Sequence, residues 1–392
     1  MTRTRIESVA TWSLYGCAAT VQISIAATQI LFAVAALAWL ALLVTGQGRF
    51  EAPRFFRPLA VYAVLTLVAA VFSLQPWVSL FDSRQLLLFL MVPIVFTFAR
   101  RSVGRHLVLI LITVGAASAI FGIVQYGVLH YDHLGQRPQG VMGHYMTYSG
   151  LLMLVTTTVV ARVLFVRRDR MWPSLVLPAL LVALVLSFTR SAWVGACAGM
   201  ALLLLLKDFR LLGALPVVVA IFFALAPPQV TQRFYSMFDL HDPTNRDRIA
   251  MLRQGGRMIA ADPLTGMGPN MVEEVYVRFR DTDAIERVNP HLHNVPMQIA
   301  AERGLPALGV WLWFVGSAAL GAWSIFKKGG HRFLAAGAMG ALAAMLAAGF
   351  FEHNFGDSEF LMLLLILITL PFAAGEPESA ESAAAARGAH AP

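Results

Sequence analysis

Residues 289–309 read Asn-Pro-His-Leu-His-Asn-Val-Pro-Met-Gln-Ile-Ala-Ala-Glu-Arg-Gly-Leu-Pro-Ala-Leu-Gly. Here a long polar segment runs back into a strongly hydrophobic chain, so the stretch marks where an extramembrane region ends and apolar helices resume. Ionisable groups are costly to keep at a membrane boundary. The His-x-His-Asn set between Pro290 and Pro296 therefore reads as a candidate reaction centre.

Working outward, 58% of the 392 residues are hydrophobic and 13% are charged, and mean hydropathy is +0.68. Twelve apolar stretches are each long enough to approach the roughly 20 residues that cross a bilayer core. They lie near 9–24, 26–45, 58–74, 84–99, 106–129, 145–166, 173–188, 191–206, 210–226, 305–326, 333–351 and 357–374. The stretches are continuously apolar rather than alternating, which argues against a β-barrel. The expected fold is an all-α polytopic membrane protein of about twelve transmembrane helices. Residues 1–226 hold helices one to nine, 227–304 form one long, partly helical loop domain, 305–374 hold helices ten to twelve, and 375–392 form a disordered tail rich in Ala, Glu, Ser and Gly.

Net charge is +8, which in a soluble chain would raise nucleic acid as a partner. Here the basic residues lie mainly between the spans and read as topology signals. With Arg3 and Arg5 placed in the cytoplasm, the short connections around Arg54, Arg101, Arg168, Lys207 and Lys327 fall on the same side, together with Arg387. That side holds 18 of the 30 Lys and Arg, among them all three lysines, and both termini. The segment 227–304 then faces outward, where every basic residue is an arginine, the side chain suited to bidentate phosphate contact. No cleavable signal peptide is evident, so the first helix is expected to direct insertion. Cys17 and Cys197 both sit in apolar runs, unsuited to a disulfide or a cysteine metal site.

Within 227–304, Thr244 or Asn245 is placed to cap a helix that ends before Asp262-Pro263. At about 100° per residue, Arg246, Ala250, Arg253 and Arg257 share one face, and Arg248, Met251, Leu252, Gly255 and Ile259 the other. Arg248 then points with the apolar face, while the other arginines face solvent or lipid headgroups.

A second helix is expected to start at Pro296, with Asn294 or Val295 at the cap and Gly304 past its end. His293 then precedes a helix N-terminus, whose partial positive charge favours the neutral imidazole that a general base needs. Two other readings stay open: a zinc site, for which His241, His144 or Glu352 would have to add a ligand, and a structural capping histidine. Arg190 stands in an outward turn, where basic residues are depleted; the alternative to a functional role is a snorkelling arginine. Arg137, in another outward loop, is a second substrate contact or a surface residue. The last outward turn, with Glu352, His353 and Asp357, either lines the same cavity or is solvated.

No phosphate-binding glycine loop, dinucleotide fingerprint or His-Glu-x-x-His motif occurs. The energy for a reaction would have to come from the substrate. An outward, arginine-lined site at a membrane boundary suits a lipid-linked pyrophosphate.

Taken together these motifs resemble the O-antigen ligases and their relatives, the O-antigen polymerases and O-linked protein oligosaccharyltransferases, membrane glycosyltransferases of the GT-C type. The resemblance spans most of the chain. It rests on Arg-Pro-Gln-Gly at 137–140, Ser-Phe-Thr-Arg-Ser-Ala-Trp at 187–193, Asp-Pro-Leu-Thr-Gly-Met-Gly at 262–268, and above all His-Leu-His-Asn through Glu-Arg-Gly at 291–304. It implies inverting, metal-independent transfer of a glycan from undecaprenyl pyrophosphate to a sugar hydroxyl of lipid A core, on the periplasmic side of the bacterial inner membrane, with no cofactor. His293 would be the base and Arg190 would hold the pyrophosphate. The family's loop arginine stands four residues before a tryptophan; Leu252 occupies that place here, matching Arg248, with Arg246 the alternative. His291, Asn294, Arg137, Glu302 and His353 would support them. The pattern lies closer to ligase than to polymerase. A glycolipid transporter is the remaining class, but no internal repeat or paired broken helices appear.

Overall fold

The structure is a computed structural model that describes residues 2–100, 102–214, 216, 220, 221 and 224–374. The described residues are helical, with an isolated bridge between His133 and Gln136 and no strand. Helix α1 (Arg3–Thr20) packs along α2 (Ile25–Val44). After α3 (Phe56–Val71) comes a rod of three pieces: α4 (Pro76–Asp82), a 3-10 run over Ser83–Leu90, and α5 (Met91–Phe98). Then follow α6 (Ser102–Gly127), α7 (Tyr145–Phe165), α8 (Met171–Leu186) and α9 (Arg190–Lys207). The polar segment contains α10 (Pro228–Tyr235), α11 (Pro243–Ala261) and α12 (Val272–Phe279). The chain continues with α13 (Val295–Lys328), α14 (Arg332–Gly349) and α15 (Ser358–Ala373).

Seven of these helical rods are long and apolar enough to cross a membrane, and α3, α8 and α15 are shorter apolar helices, so this is a multi-pass membrane protein. Three expectations change. The fourth rod begins at Pro76, not near residue 84, because its helix continues through the polar Asp82 and Arg84 as a 3-10 run. The tenth begins at Val295, since α13 runs through a kink at Gly304. The expected ninth span, 210–226, lies largely outside the described residues, as do Arg101 and the tail 375–392.

The centre of the bundle follows from composition. α15 is apolar all round and is buried at every residue from Phe360 to Pro371, as expected of a helix without a polar face. Small residues bring α9 and α14 together: a Cβ on Gly195 would meet the Ala344 carbonyl oxygen at 2.7 Å, and one on Gly199 the Gly340 oxygen at 2.8 Å. Such backbone-to-backbone packing is how apolar helices associate without a hydrophobic driving force. It holds the first turn of α9, with Arg190, beside the last turn of α14.

Two of the sequence motifs prove to be one device. The loop at 263–269 clasps the kink in α13: the Met267 and Gly268 amides donate to the Ala301 and Glu302 carbonyls at 2.9 Å, and the Leu305 amide donates to Pro263 at 2.8 Å. Gly304 has φ 80°, and a Cβ there would lie 2.0 Å from the Leu264 carbonyl oxygen, so only glycine fits. The far side of the loop is pinned by Ser79 Oγ, which donates to the Pro269 carbonyl at 2.7 Å. Gly304→Ala should cost about 1–3 kcal/mol of stability, read as a lowered melting midpoint in detergent; an unchanged midpoint would show the clasp to be dispensable.

Candidate functional site

His293 is placed by its neighbours on both sides. Leu292 is buried with Met251, Met258, Val272, Val275 and Ala301 in a small core between α11, α12 and α13, and its amide donates to Gln298 Oε1 at 2.7 Å. On the other side, Asn294 is the cap of α13: its Oδ1 accepts from the Met297 amide at 2.9 Å, while its Nδ2 donates to the Phe350 carbonyl at 3.1 Å. Between these anchors His293 adopts φ 46°, a left-handed conformation uncommon outside glycine that clusters at functional sites. The sequence expectation of an Asn294 cap holds, with Val295 ahead of Pro296 in the first turn.

The imidazole of His293 meets Glu352 on the turn after α14, with Nδ1 3.0 Å from Oε1. Burial opposes ionisation of Glu352, but the hydrogen bond and charge of His293, the His353 amide and Arg248 outweigh it and hold the carboxyl well below the usual range. An ionised carboxylate only accepts, so Nδ1 carries a hydrogen and Nε2 is the nitrogen left to exchange the second proton. No described hydrogen bond occupies Nε2. His291 and His353 stand alongside, with ring centroids 5.9 Å from His293 to His291 and 5.5 Å from His291 to His353. Burial lowers both, helped for His291 by the charge of His293 and for His353 by that of His291, so these two are neutral near pH 7.

These groups open on a cavity of about 350 Å³ between α7, α9, α14, α15 and the 289–293 segment. Its lining includes His144, Thr147, Ser191, His291, His293, Glu352, His353 and Asp357. The volume lies in the range of ligand sites.

Beside it lies a group of arginines from four separate segments. Arg190 is buried; its guanidinium donates to the Ser236 carbonyl (2.8 Å) and hydroxyl (3.2 Å) and pairs with Asp242 at 3.4 Å. It thus ties α9 to the connection between α10 and α11, which excludes the snorkelling reading. Arg233 Nε donates to the Phe188 carbonyl at 3.4 Å. Its pKa falls to about 10 through burial and repulsion from Arg190, Arg137 and Arg248, so it stays a cation at neutral pH. Arg137 lies over the Tyr145 ring, 4.2 Å from its centroid, and burial and Arg190 lower it too. Arg248 is half-buried, and no described hydrogen bond or ion pair holds it. Burial lowers its pKa, with repulsion from Arg190 opposed by the charge of Glu352. Cations gathered against their mutual repulsion, with Asp242 and Glu352 as the carboxylates acting on them, form an anion-binding locus.

The faces of α11 need partial correction. Arg248 does point inward and Arg246 is exposed, as the helical periodicity predicts. Ala250 is buried, however, and Leu252 is exposed, reversing both assignments. Close approach of α11 to α13 selects small residues: a Cβ on Gly255 would lie 2.5 Å from Met297 Cγ. Arg253 and Arg257 do not simply face solvent or headgroups; they pair with Asp283 at 2.8 Å and Asp281 at 3.1 Å. The cap of α11 is Asp242, which accepts from the Thr244 and Asn245 amides; neither of those residues caps it.

Glu302 stands apart from the histidines. It is buried and pairs with Arg303 at 2.6 Å, inside the clasp. Glu352 as the partner of His293, Arg233, Tyr145 and the Asp242 counter-charge escaped the sequence reading. The acids of the last turn were visible there, but not which histidine they meet. Among the described residues no three of His, Cys, Asp and Glu are arranged to hold a metal ion.

Residues 175–312 match a family model described as O-antigen ligase. This region of the chain carries an O-antigen ligase domain. The matched region runs from α8 into α13 and contains the Arg190 turn, the polar segment and His293. No curated protein matches the chain. Members of that family are ligase- or polymerase-type membrane transferases, and the match supports a general transferase role for this membrane protein.

Proposed function

We propose that the protein is an O-antigen ligase of the bacterial inner membrane, with its site on the periplasmic face and both termini in the cytoplasm. It transfers the glycan of an undecaprenyl pyrophosphate donor to a sugar hydroxyl of lipid A core. The observation that carries this reading is His293: it lines the cavity with Nδ1 3.0 Å from Glu352 Oε1, no described hydrogen bond at Nε2, and four arginines nearby.

In the reaction, Nε2 takes the proton of the acceptor hydroxyl as its oxygen attacks the anomeric carbon. The bond from that carbon to the phosphate oxygen breaks, and the pyrophosphate leaves with the electron pair. Attack opposite the leaving group inverts the anomeric centre. Glu352 stabilises the imidazolium that forms, and the arginines stabilise the charge on the departing pyrophosphate. Arg248, charged, half-buried and unpaired, is the arginine with most to gain from the anion. Arg190 and Arg137 join it, with Arg233 as a fourth cation. Arg246, exposed on the other face of α11, stays the weaker alternative. His291 and His353 keep the surroundings of His293 neutral, and Asn294 holds its backbone.

Reconstitution tests the proposal: purified protein, lipid-linked glycan and rough lipopolysaccharide, with and without chelator. Glycan attached to lipid A core is the expected product. Lengthened lipid-linked glycan would instead make the protein a polymerase, and glycan crossing the membrane with no covalent product would exclude both. In the same assay Arg248→Ala should lose about 10²-fold or more in rate. Arg253→Ala removes the pairs of an exposed guanidinium with Asp283 and Asp281, away from the cavity, and should stay within about threefold. The reverse order would overturn the inward role of Arg248.

A further inference from the structure

The cavity and the arginine group differ in charge. No arginine or lysine lines the cavity, whereas two carboxylates, Glu352 and Asp357, do. An anionic pyrophosphate has no place among them. A neutral, hydroxyl-rich ring does, because carboxylates accept hydrogen bonds from hydroxyls and can serve two at once.

Glu352 is committed to His293, but Asp357 is not committed to any base. Its Oδ1 caps α15 by accepting from the Phe360 amide at 2.9 Å, and its Oδ2 accepts from Thr147 Oγ1 at 2.5 Å. The Glu359 carboxyl also hydrogen-bonds Asp357; the two oxygens still have capacity for a further donor, and both Asp357 and Thr147 line the cavity. Next to them Asn354 also lines it, 8% exposed. Its Nδ2 donates to the Met345 carbonyl, while its Oδ1 is buried without a partner among the described residues. Unsatisfied buried acceptors are rare and call for a partner.

We propose that Asp357, with Thr147 and Asn354, forms the subsite for the acceptor sugar, taking hydroxyls next to the one that reacts. The inference rests on the transfer reading above. It assigns the acceptor rather than the donor because the base itself opens on this cavity, and what lies against the base in such a transfer is the acceptor hydroxyl. The pyrophosphate that carries the donor sugar belongs with the arginines outside the lining. Asp357 is a binding residue here, distinct from His293, which takes the proton.

The test uses the full-length protein in detergent with Asp357→Asn, since asparagine also caps helices and its amide can still bond Thr147. Should that variant not purify folded, Asp357→Ser, another good cap, serves the same measurement. Rough lipopolysaccharide and lipid-linked glycan are titrated separately. The expected result is an acceptor KM raised about tenfold, with the change confined to that constant. A raised donor KM, a loss in kcat alone, or no change would overturn the assignment to the acceptor. Absence of any transfer by the wild type would be a different result, defeating the transfer reading and the inference with it.

Discussion

His293→Ala should lower the rate of glycan transfer by about 10²- to 10⁴-fold, the usual worth of a positioned general base. The side chain is partly exposed on the cavity and its Nδ1 partner is a single carboxylate, Glu352, so its loss leaves the packing of Leu292 and the Asn294 cap in place. The backbone at φ 46° is less comfortable for alanine than for asparagine, which visits the left-handed region more readily. His293→Asn is therefore the companion variant, and it should be as inactive as the alanine. Both would be compared with the wild type for thermal midpoint and for transfer under saturating substrates. A folded variant that retains more than a tenth of the wild-type rate would remove His293 as the base.

Arg190→Lys should cost about a hundredfold in transfer although the charge is kept. The guanidinium reaches the Ser236 carbonyl, the Ser236 hydroxyl and Asp242 from one buried position. A lysine ammonium, a point charge on a flexible stem, cannot hold those directions and a phosphate oxygen together. The donor KM should rise along with the loss of kcat. A fully active, folded lysine variant would leave Arg190 only the task of tying α9 to the polar segment. Loss of folding would show that the tether is its main contribution.

Much of this was legible without coordinates. Long apolar stretches declare themselves because the bilayer imposes both length and hydropathy, and the helices at 25–44, 145–165, 190–207 and 332–349 fall where those stretches lie. The Asn294 cap and the glycine break at 304 were readable because caps and positive φ demand particular side chains within a few residues. Where a contact depends on partners far apart in the chain, local signals fail. Leu252 looked like a core residue by type, yet α11 turns its small residues, Ala250 and Gly255, toward its neighbours and leaves Leu252 exposed.

By itself, the amino-acid order determined a polytopic helical membrane protein, a polar segment that returns to the bilayer at 289–309, and a histidine before a helix start. These follow from hydropathy and from backbone preferences, which act within one or two turns. Only the tertiary structure decided that Glu352 is the partner of His293, that Arg137, Arg190, Arg233 and Arg248 converge, and that the cavity beside them is lined by two carboxylates and by no arginine or lysine. Charges act through space, and their neighbours are set by which helices pack together. The close contact of α9 with α14 through Gly195 and Gly199 and the clasp at Gly304 bring these distant segments to one side of the bundle.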